Sequence, residues 1–409
     1  MKFRKSIAGI LALAVVPMAF NSVVFAQAAP TVKVKIGIMA PITGPAASIG
    51  NEQLNWAKMA VDDFNAANEG WAVEAVESDT ELDAAKAVTA AESLIADADI
   101  YGVVGPAGSQ EVEATAPKFK EARLTTISGS ATRPSLTTTG NDTFFRVVPT
   151  DDAQGPTDGN FIANDLGATK LFIIDDQTSY ATGLADAASA AFEAAGGTIV
   201  GRESVKQDDQ DFSTIVTKAA SAGAEVIFFP GQIASQGALL AKAIVEQGAK
   251  ITVFGADGFQ SVDDFIKGAA GATEGAYVSA FAPDIHKLES SADVVKRYTE
   301  KYGEFGTFGP PTYAATTVLL EAIKRASDAG KLTREGVRDE VAKTDQASSV
   351  LGNAIAFDEH GDVKNAAFYI FQVKGDNFEL VPGTSAEEMA EATPDEMVGE
   401  ATPEATPAG

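Results

Sequence analysis

The strongest constraint on the fold is a regular alternation of short apolar runs with helical stretches from residue 32 to about residue 281. The apolar runs have the length of strands and lie at 33–39, 72–77, 100–104, 124–128, 144–148, 170–174, 198–205, 226–229, 251–254 and 276–281. Stretches with helical periodicity separate them, at 52–65, 84–95, 153–166, 183–195, 212–222 and 235–246. Several runs, such as LFIID and VIFFPG, are apolar on both faces, which is typical of strands covered by helices on both sides. The alternation therefore predicts an α/β fold with doubly wound parallel sheets.

These strands are too numerous for one sheet of ordinary size, so we predict two lobes. A segment rich in Pro, Gly and Asp at 146–157 marks the first crossover between the lobes, and residues 281–283 mark the return. The helical stretch 313–326 then belongs to the first lobe, while the runs NAIAFD and AAFYIFQV carry the last crossover. The predicted domains, joined by a three-strand hinge, are residues 31–150 with 281–367 for the first lobe and residues 151–280 with 368–384 for the second.

Both ends of the chain have the composition of segments outside the fold. Basic residues precede an apolar run at 7–20, and the stretch VFAQA follows, which is the pattern of a secretory signal peptide over residues 1–28. The run is too short to span a bilayer comfortably, and no other stretch is a membrane-span candidate. The chain has no cysteine, so we expect an exported periplasmic protein that is neither a lipoprotein nor membrane-embedded. Residues 385–409 are acidic with repeated Ala-Thr-Pro, which predicts a disordered tail.

Charge and the absence of catalytic motifs exclude several classes of function. The formal net charge of −26 argues against nucleic acid and anionic membrane surfaces as partners. The two histidines, His286 and His360, lie in a polar loop and a predicted turn, so neither is a candidate for catalysis or metal binding. The chain also lacks a nucleophile elbow, a phosphate loop, a zinc-protease motif and a dinucleotide fingerprint. We therefore expect no catalytic residue, no metal site and no cofactor.

Polar residues at the carboxyl ends of predicted strands remain, and open α/β sheets bind ligands at that edge. Ser109 follows the strand and turn GVVGPAG, and Ser130 and Thr132 follow the strand LTTIS. Two such turns, with hydroxyl groups and the free amides of a helix N-terminus, can converge on one carboxylate. Asp257 in VFGADGFQ could pair an ammonium group, and Tyr180 could pack against an apolar ligand body.

A structural interpretation of the same residues is equally compatible with their spacing. Ser109 and Thr132 are also the residue types that cap helices. Asp257 is also a typical turn residue before a helix, and Tyr180 is also an ordinary residue at a helix start. For Ser109 the two interpretations differ in one respect, because a capping serine has its oxygen on the backbone, whereas a site serine leaves backbone N–H groups for the ligand.

Taken in order, these stretches resemble the type I periplasmic solute-binding proteins of ABC transporters, specifically the branched-chain amino-acid (Leu/Ile/Val) binding group. The likeness extends over about residues 32–380. It rests on KIGIMAPITGPAASIGNEQLNWAKMAVDDFNA, YGVVGPAGSQEVEATAP, ISGSATRPSLT, FFRVVPTDDAQGP, DDQTSYATGLA, DFSTIVTKA, FFPGQ, VFGADGF, PTYAATTVLLEAI and FDEHGDVKNAAFYIFQV. Each motif alone is loose, but the ordered series is specific.

The resemblance implies roles for seven residues. Ser109 with its amide, together with Thr132, would bind a ligand carboxylate, while the carbonyl of Ser130 and the side chain of Asp257 would take the α-ammonium. From the second lobe Tyr180 would close over the ligand. The ligand side chain would be lined by Ile49 and Gln232. The implied protein is a monomer that captures an amino acid, expected to be aliphatic, and delivers it to the permease subunits of an ABC importer.

Three alternatives remain open at this point. The same fold could report a ligand to a membrane partner as a sensing subunit, or could bind another small ligand such as an amide, a urea-like compound or an aromatic acid. Relatives that bind Leu or Ile often carry an aromatic residue where Ile49 and Gln232 stand, and a glutamine there makes the pocket less apolar. Gly108 stands where some relatives have Cys. A secreted α/β enzyme would need a nucleophile–base pair or a nucleotide loop, and neither is found.

Overall fold

The chain forms two α/β lobes, each built on its own sheet, in a computed structural model that describes residues 32–384. The predicted signal peptide and acidic tail lie outside the described residues. The first sheet is fully parallel in the order β2-β1-β3-β4-β5. Its strands are β1 (Val32–Ala40), β2 (Trp71–Asp79), β3 (Ile100–Val104), β4 (Thr125–Ser128) and β5 (Phe144–Arg146).

The second sheet is larger and mixed, with the order β14-β13-β10-β9-β8-β6-β7. Its strands are β6 (Lys170–Asp175), β7 (Thr198–Ser204), β8 (Val226–Phe229), β9 (Thr252–Gly255), β10 (Tyr277–Ala280), β13 (Tyr369–Lys374) and β14 (Asn377–Leu380). Strands β6 to β10 are parallel, whereas β13 pairs antiparallel with β10 and β14 antiparallel with β13. A separate two-residue pair is formed by β11 (Asp345–Gln346) and β12 (Ile355–Ala356). The prediction of doubly wound parallel lobes is confirmed except for these antiparallel edge strands.

Helices cover both sheets. They are α1 (Ala47–Ala67), α2 (Ala84–Ala96), α3 (Ser109–Glu121), α4 (Ser135–Thr138), α5 (Asp151–Asn160), α6 (Ser179–Ala194), α7 (Ser213–Ala222), α8 (Ala234–Glu246), α9 (Ala292–Tyr302), α10 (Gly309–Asp328) and α11 (Arg334–Val341). Side chains define several starts: Asp83 accepts a hydrogen bond from Lys86 N, and Thr178 accepts one from Ala181 N. The predicted helix 153–166 is α5 continued by a π-helical turn, Phe161–Asp165.

The central strands are buried on both faces, as their apolar sequences predict. Every residue of β4 and β8 is buried. In the first lobe α10 packs against α1 so closely that a side chain at Gly309 would collide with the ring of Trp56. The second lobe has two phenylalanine-containing cores, one with Phe228 and Phe254 and the other with Phe259. These cores hold the strand ends of each lobe rigidly in place.

The chain passes between the lobes three times, after β5, after β10 and before β13. The residue boundaries of the lobes stay a prediction. Within residues 32–384 no helix combines the length and apolar character needed to cross a membrane. The same residues contain no group of three or more His, Cys, Asp or Glu that could hold a metal ion.

Candidate functional site

The first lobe contributes the start of α3, which follows β3 through the turn 105–108. Gly108 is the N-cap, and its N–H donates to Glu111 Oε2 at 2.6 Å. Ser109 is therefore the first residue of the helix and does not cap it. Its hydroxyl oxygen accepts a 3.3 Å hydrogen bond from Arg133 N. The N–H groups of Ser109 and Gln110 have no acceptor in the preceding turn, so this helix start suits an anion.

The turn after β4 is joined to the turn before α3 by serine side chains. Ser128 Oγ donates to Pro106 O at 2.8 Å, and Ser130 Oγ donates to Ala107 O at 2.9 Å. Gln53 Nε2 donates to the hydroxyl oxygen of Ser130 at 3.0 Å. The hydroxyl of Ser130 is thus structural, whereas its carbonyl oxygen accepts no hydrogen bond within the described part of the chain.

Thr132 lies deeper, beside the start of α5. Its carbonyl oxygen accepts a 3.0 Å hydrogen bond from Asp151 N. Its hydroxyl lies beside the carboxyl of Asp151 but makes no well-aligned hydrogen bond among residues 32–384. The side chain is fully buried and is not among the residues that line the cavity described below.

A buried arginine that the sequence analysis missed shapes this turn. Arg146 is fully buried at the end of β5 and pairs with Asp362 at 2.5 Å. Its Nη1 donates to the carbonyl oxygens of Ala131 at 3.2 Å and Arg133 at 2.7 Å. The only signal in the sequence is a charged residue inside the apolar run FFRVV. Because a buried guanidinium needs acceptors, it fixes the carbonyls that flank Thr132.

The second lobe contributes a carboxylate held by two neutral donors. Asp257 follows β9 directly and is 4% exposed. Its Oδ1 accepts a 2.7 Å hydrogen bond from the hydroxyl of Tyr180 and a 2.9 Å hydrogen bond from Gln154 Nε2. Its Oδ2 accepts no hydrogen bond from another residue of the described chain. That oxygen is available to a cationic group.

Six of the seven candidate residues line one cavity between the lobes. The cavity encloses about 20 Å³, which is room for about one water molecule. The lobes must therefore move apart to admit anything larger. The first lobe contributes Ile49, Leu82, Ala107, Ser109, Ser130 and Phe308, and the second lobe contributes Tyr180, Gln232, Asp257 and Gly258.

Leu82 is the least expected residue of the cavity wall. It lies in the turn between β2 and α2 with φ 60°, next to Glu81 with φ 50°, in a region that residues other than glycine rarely adopt. It is only 6% exposed and packs with Ala46, Ala107 and, from the second lobe, Ile233. A lone leucine in the polar stretch DTELD was the signal available in the sequence.

An amide bridge closes the other side of the cavity. Gln110 Nε2 donates to Gln232 Oε1 at 3.0 Å and to Leu82 O at 3.2 Å. Gln207 Nε2 donates to the same oxygen of Gln232 at 3.0 Å. The backbone N–H of Gln232 donates to Asp176 Oδ2 at 3.0 Å. The amide of Gln232 therefore joins the two lobes.

The acidic groups around Asp257 have strongly altered protonation. Burial raises the pKa of Asp257 to about 6, although the hydrogen bonds from Gln154 and Tyr180 act in the opposite direction. Burial also raises the pKa of Asp151 to about 7, and the nearby Asp257 adds to the rise. The pKa of Asp158 is raised well above its ordinary value, mainly by burial. Burial and the charge of Asp257 raise the pKa of Tyr180 well above 10. This side of the cavity thus favours an added cation.

A larger groove exists elsewhere but lacks this chemistry. It encloses about 350 Å³ on the surface of the first lobe, between α3 and residues 135–141. Its lining includes Val112, Pro117, Leu136 and Asn141, and none of the candidate residues. Size alone therefore does not identify the site, whereas converging polar groups do.

Comparison with known proteins finds relatives over most of the chain. Residues 33–377 match a family model described as periplasmic binding protein. The chain is 30% identical to the leucine-, isoleucine-, valine-, threonine-, and alanine-binding protein of Pseudomonas aeruginosa over 85% of this chain and 91% of that protein.

Solved structures show the same architecture. One neighbour is a leucine-binding protein from Thermotoga maritima, with a TM-score of 0.77 and 26% identity, covering 85% of this chain and 97% of that one. A second is the branched-chain amino-acid transporter substrate-binding protein of Streptococcus pneumoniae in complex with isoleucine. It has a TM-score of 0.77 and 26% identity, and covers 85% of this chain and 99% of that one.

Proposed function

The chain belongs to the periplasmic binding protein family, and on that basis we propose that it captures an α-amino acid with an aliphatic side chain between its lobes and delivers it to an ABC importer. One observation carries the proposal. An anion-accepting helix start at Ser109 and an anionic side chain at Asp257 line the same interlobe cavity. The helix start suits the carboxylate of a zwitterion, and the Asp257 carboxylate suits its ammonium group.

At the α-carbon end, each charged group of the ligand has complementary partners. The carboxylate is held by the hydroxyl of Ser109 and the N–H groups that open α3. We assign Thr132 as a second donor to the ligand carboxylate, because its buried hydroxyl makes no well-aligned hydrogen bond among residues 32–384. The ammonium is held by Asp257 Oδ2 and the carbonyl of Ser130. Tyr180 supports Asp257 from the same lobe.

The remaining wall favours an aliphatic side chain. Ile49, Leu82, Ala107 and Phe308 present apolar surface. Gln232 introduces an amide, but its oxygen already accepts hydrogen bonds from Gln110 and Gln207. A polar ligand side chain would have to break that bridge, whereas an aliphatic one leaves it intact.

Closure follows from contacts that exist only when the lobes meet. A ligand shifts an open–closed equilibrium only by its differential affinity for the two states, and moving it from 1:99 to 99:1 takes about 5.5 kcal/mol. A zwitterion gripped at one end by each lobe supplies such differential contacts. The protein already has interlobe hydrogen bonds, among them those from Gln110 to Gln232 and from Arg133 to the carbonyl of Ser179.

The cellular setting is part of the proposal. Residues 1–28 act as a cleaved signal peptide, the mature protein is a periplasmic monomer and not a lipoprotein, and its partners are the permease subunits of the importer. It carries ligand and catalyses no reaction. Residues 31–150 with 281–367 and residues 151–280 with 368–384 are the two moving lobes. The family relationship supports this setting.

Titration calorimetry with a matched ligand set tests the proposal. L-leucine, 4-methylpentanoate and 3-methylbutylamine share one side chain and differ in which charged end is present. We expect micromolar or tighter binding of L-leucine. Loss of the ammonium leaves Asp257 buried without its partner, and loss of the carboxylate leaves the α3 start unpaired. Each should weaken binding about 30-fold or more.

The alternatives predict different results in the same assay. Equal affinity for L-leucine and 4-methylpentanoate would remove the ammonium subsite from the proposal. A thermal-shift screen that includes small amides, urea-like compounds and aromatic acids covers the other ligand classes, because a ligand raises the melting temperature according to its affinity and concentration. A response to one of those classes alone would contradict an amino-acid function.

A further inference from the structure

A stripe of buried polar residues runs along one face of α5, directly behind the ammonium end of the cavity. Asp151, Gln154 and Asp158 recur at helical spacing, and each is at most 2% exposed. Gln154 is fully buried, and both of its amide hydrogens are used. Its Nε2 donates to Asp257 Oδ1 at 2.9 Å and to Ser279 Oγ at 3.0 Å. A buried glutamine aimed at the charged residue of a site requires a reason.

Close packing of α5 on α6 brings two donors to the same oxygen. A side chain at Gly155 would lie 2.4 Å from Ala187 Cβ, and one at Gly159 would lie 2.4 Å from Ala188 O. These glycines let the helices approach, so Gln154 of α5 and Tyr180 of α6 both reach Asp257 Oδ1. The two donors occupy one oxygen and leave Oδ2 to the cavity.

The orientation of the Gln154 amide is fixed by a second hydrogen-bond chain. Ser279 Oγ accepts from Gln154 and donates to Asp158 Oδ2 at 3.1 Å. The amide nitrogen must face Asp257, because a carboxylate oxygen can only accept. If the amide were flipped, its oxygen would face Asp257, and the serine would have to abandon Asp158. The chain from Asp158 through Ser279 therefore holds the donor in place.

We propose that Gln154 is the positioning residue of the ammonium subsite, which holds the Asp257 carboxylate in its ionised form with Oδ2 facing the ligand. This inference rests on the proposed function, since it assigns Gln154 to the recognition of an amine-bearing ligand. Gln154 does not touch the ligand itself. It acts through Asp257, and it does so within one lobe, so the subsite is organised before the lobes close.

The groups that face Asp257 make neutral donors necessary. Asp151 and Asp158 face it from α5 and Tyr180 from α6, and none of them is basic. Arg133 and Arg146 act on Asp151. Burial favours the protonated form of Asp257, which cannot pair with an ammonium group. Hydrogen bonds from Gln154 and Tyr180 favour the carboxylate without adding a charge that would compete with the ligand.

Substitution of Gln154 by Met tests the proposal, because methionine keeps the length of the side chain but donates no hydrogen bond. Gln236→Met is the matched control: Gln236 is also fully buried, and its Nε2 donates to Lys206 O at 2.7 Å and Asp209 O at 3.0 Å and not to Asp257. The readout is the dissociation constant of L-leucine from pH 5 to pH 8, measured by calorimetry on the full mature chain.

We expect the wild-type affinity to be constant at high pH and to fall up to tenfold per pH unit as Asp257 becomes protonated. In Gln154→Met the fall should begin about one pH unit higher, since one lost hydrogen bond to a charged group changes its pKa by about that amount. With the pKa moved from about 6 to about 7, the variant should bind within about twofold of wild type at pH 8 and about fivefold more weakly at pH 6. Gln236→Met should keep the wild-type profile.

An unshifted profile in Gln154→Met would overturn the inference, as would an equal shift in Gln236→Met. If Gln154→Met does not fold, Ser279→Ala provides the second variant, because it releases the amide orientation and should move the profile in the same direction by a smaller amount. An unmoved profile in Ser279→Ala would then overturn the inference. Failure of the proposed function is distinguishable, since the wild-type protein would then not bind L-leucine at any pH.

Discussion

The most informative single change is Asp257→Asn, because it should move stability and ligand binding in opposite directions. Asparagine has nearly the shape of aspartate, and its Oδ1 can still accept from Tyr180 and Gln154. Its Nδ2 takes the place of Oδ2 and presents a donor to the cavity. The change therefore removes one buried negative charge and leaves the packing intact.

The stability effect follows from the pKa of Asp257, which burial raises from 3.8 to about 6 in the folded protein. A raised pKa of an acid means that folding disfavours the charged form. The contribution of Asp257 to the free energy of unfolding is therefore fully present below pH 3.8 and is lost as the pH rises through about 6. The difference of about two units corresponds to about 3 kcal/mol at pH 8. Asparagine does not ionise, so the ligand-free variant should gain up to about 3 kcal/mol at pH 8 and little at pH 4.

The binding effect has the opposite sign. In the proposed complex Asp257 pairs the ligand ammonium inside a cavity from which water is largely excluded. Truncating one partner of a buried charged pair costs about 2–5 kcal/mol, and here the new amide also turns a donor toward the ammonium. The upper part of that range applies, so the affinity for L-leucine should fall by about 150-fold to 5,000-fold.

Thermal unfolding at pH 4 and pH 8, with and without L-leucine, separates the two effects. Ligand-free Asp257→Asn should melt several degrees above wild type at pH 8, and saturating L-leucine should raise the melting temperature of wild type only. Asp257→Ala should also lose binding while still folding. The reasoning is refuted if Asp257→Asn melts lower than wild type at pH 8, or if it binds L-leucine within tenfold of wild type.

Three further predictions concern one residue of the cavity wall and two residues that support the site from behind. Leu82→Ala should enlarge the pocket and change the preference from leucine toward phenylalanine by about tenfold, measured as a ratio of dissociation constants. An unchanged ratio would place Leu82 outside the side-chain pocket. Gln110→Leu should break the hydrogen bond to Gln232 and raise the ligand dissociation rate several-fold in stopped-flow experiments. An unchanged rate would show that this hydrogen bond does not help to hold the lobes closed. Arg146→Met should lower the free energy of unfolding by about 3–5 kcal/mol in urea denaturation, since Asp362 loses its ion pair and keeps the hydrogen bond from Thr137. A loss below about 1 kcal/mol would show that the pair is dispensable.

The sequence predicted the strands well because their signal is local. The strand runs 100–104 and 226–229 coincide with β3 and β8, β6 extends one residue beyond its predicted end, and β9 is shifted by one residue. Runs that are apolar on both faces can be covered only by helices on both sides, so composition alone indicated the sheet type. The same logic placed Ser109 and Asp257 after strands, at the sheet edges where ligands bind.

The direction of the strands and the contacts between residues distant in sequence were predicted less well. The antiparallel pairing of β13 with β10 and β14 depends on how the chain returns to the second lobe, which no local pattern encodes. Leu82 was missed because Glu81 and Leu82 both have positive φ angles. Residues of these types do not favour that conformation, so the sequence does not predict the turn.

The element types, the two sheets and the chemical character of the strand ends can be read from short stretches of sequence, because hydrophobic period and helix-capping chemistry act over a few residues. Which polar groups share an oxygen depends instead on the assembled fold. Gln154 and Tyr180 are 26 residues apart in number, and Asp257 lies 103 and 77 positions from them, as their hydrogen bonds record. They meet because Gly155 and Gly159 allow α5 to lie against α6, and contacts of that kind depend on packing distances that appear only when the lobe is assembled.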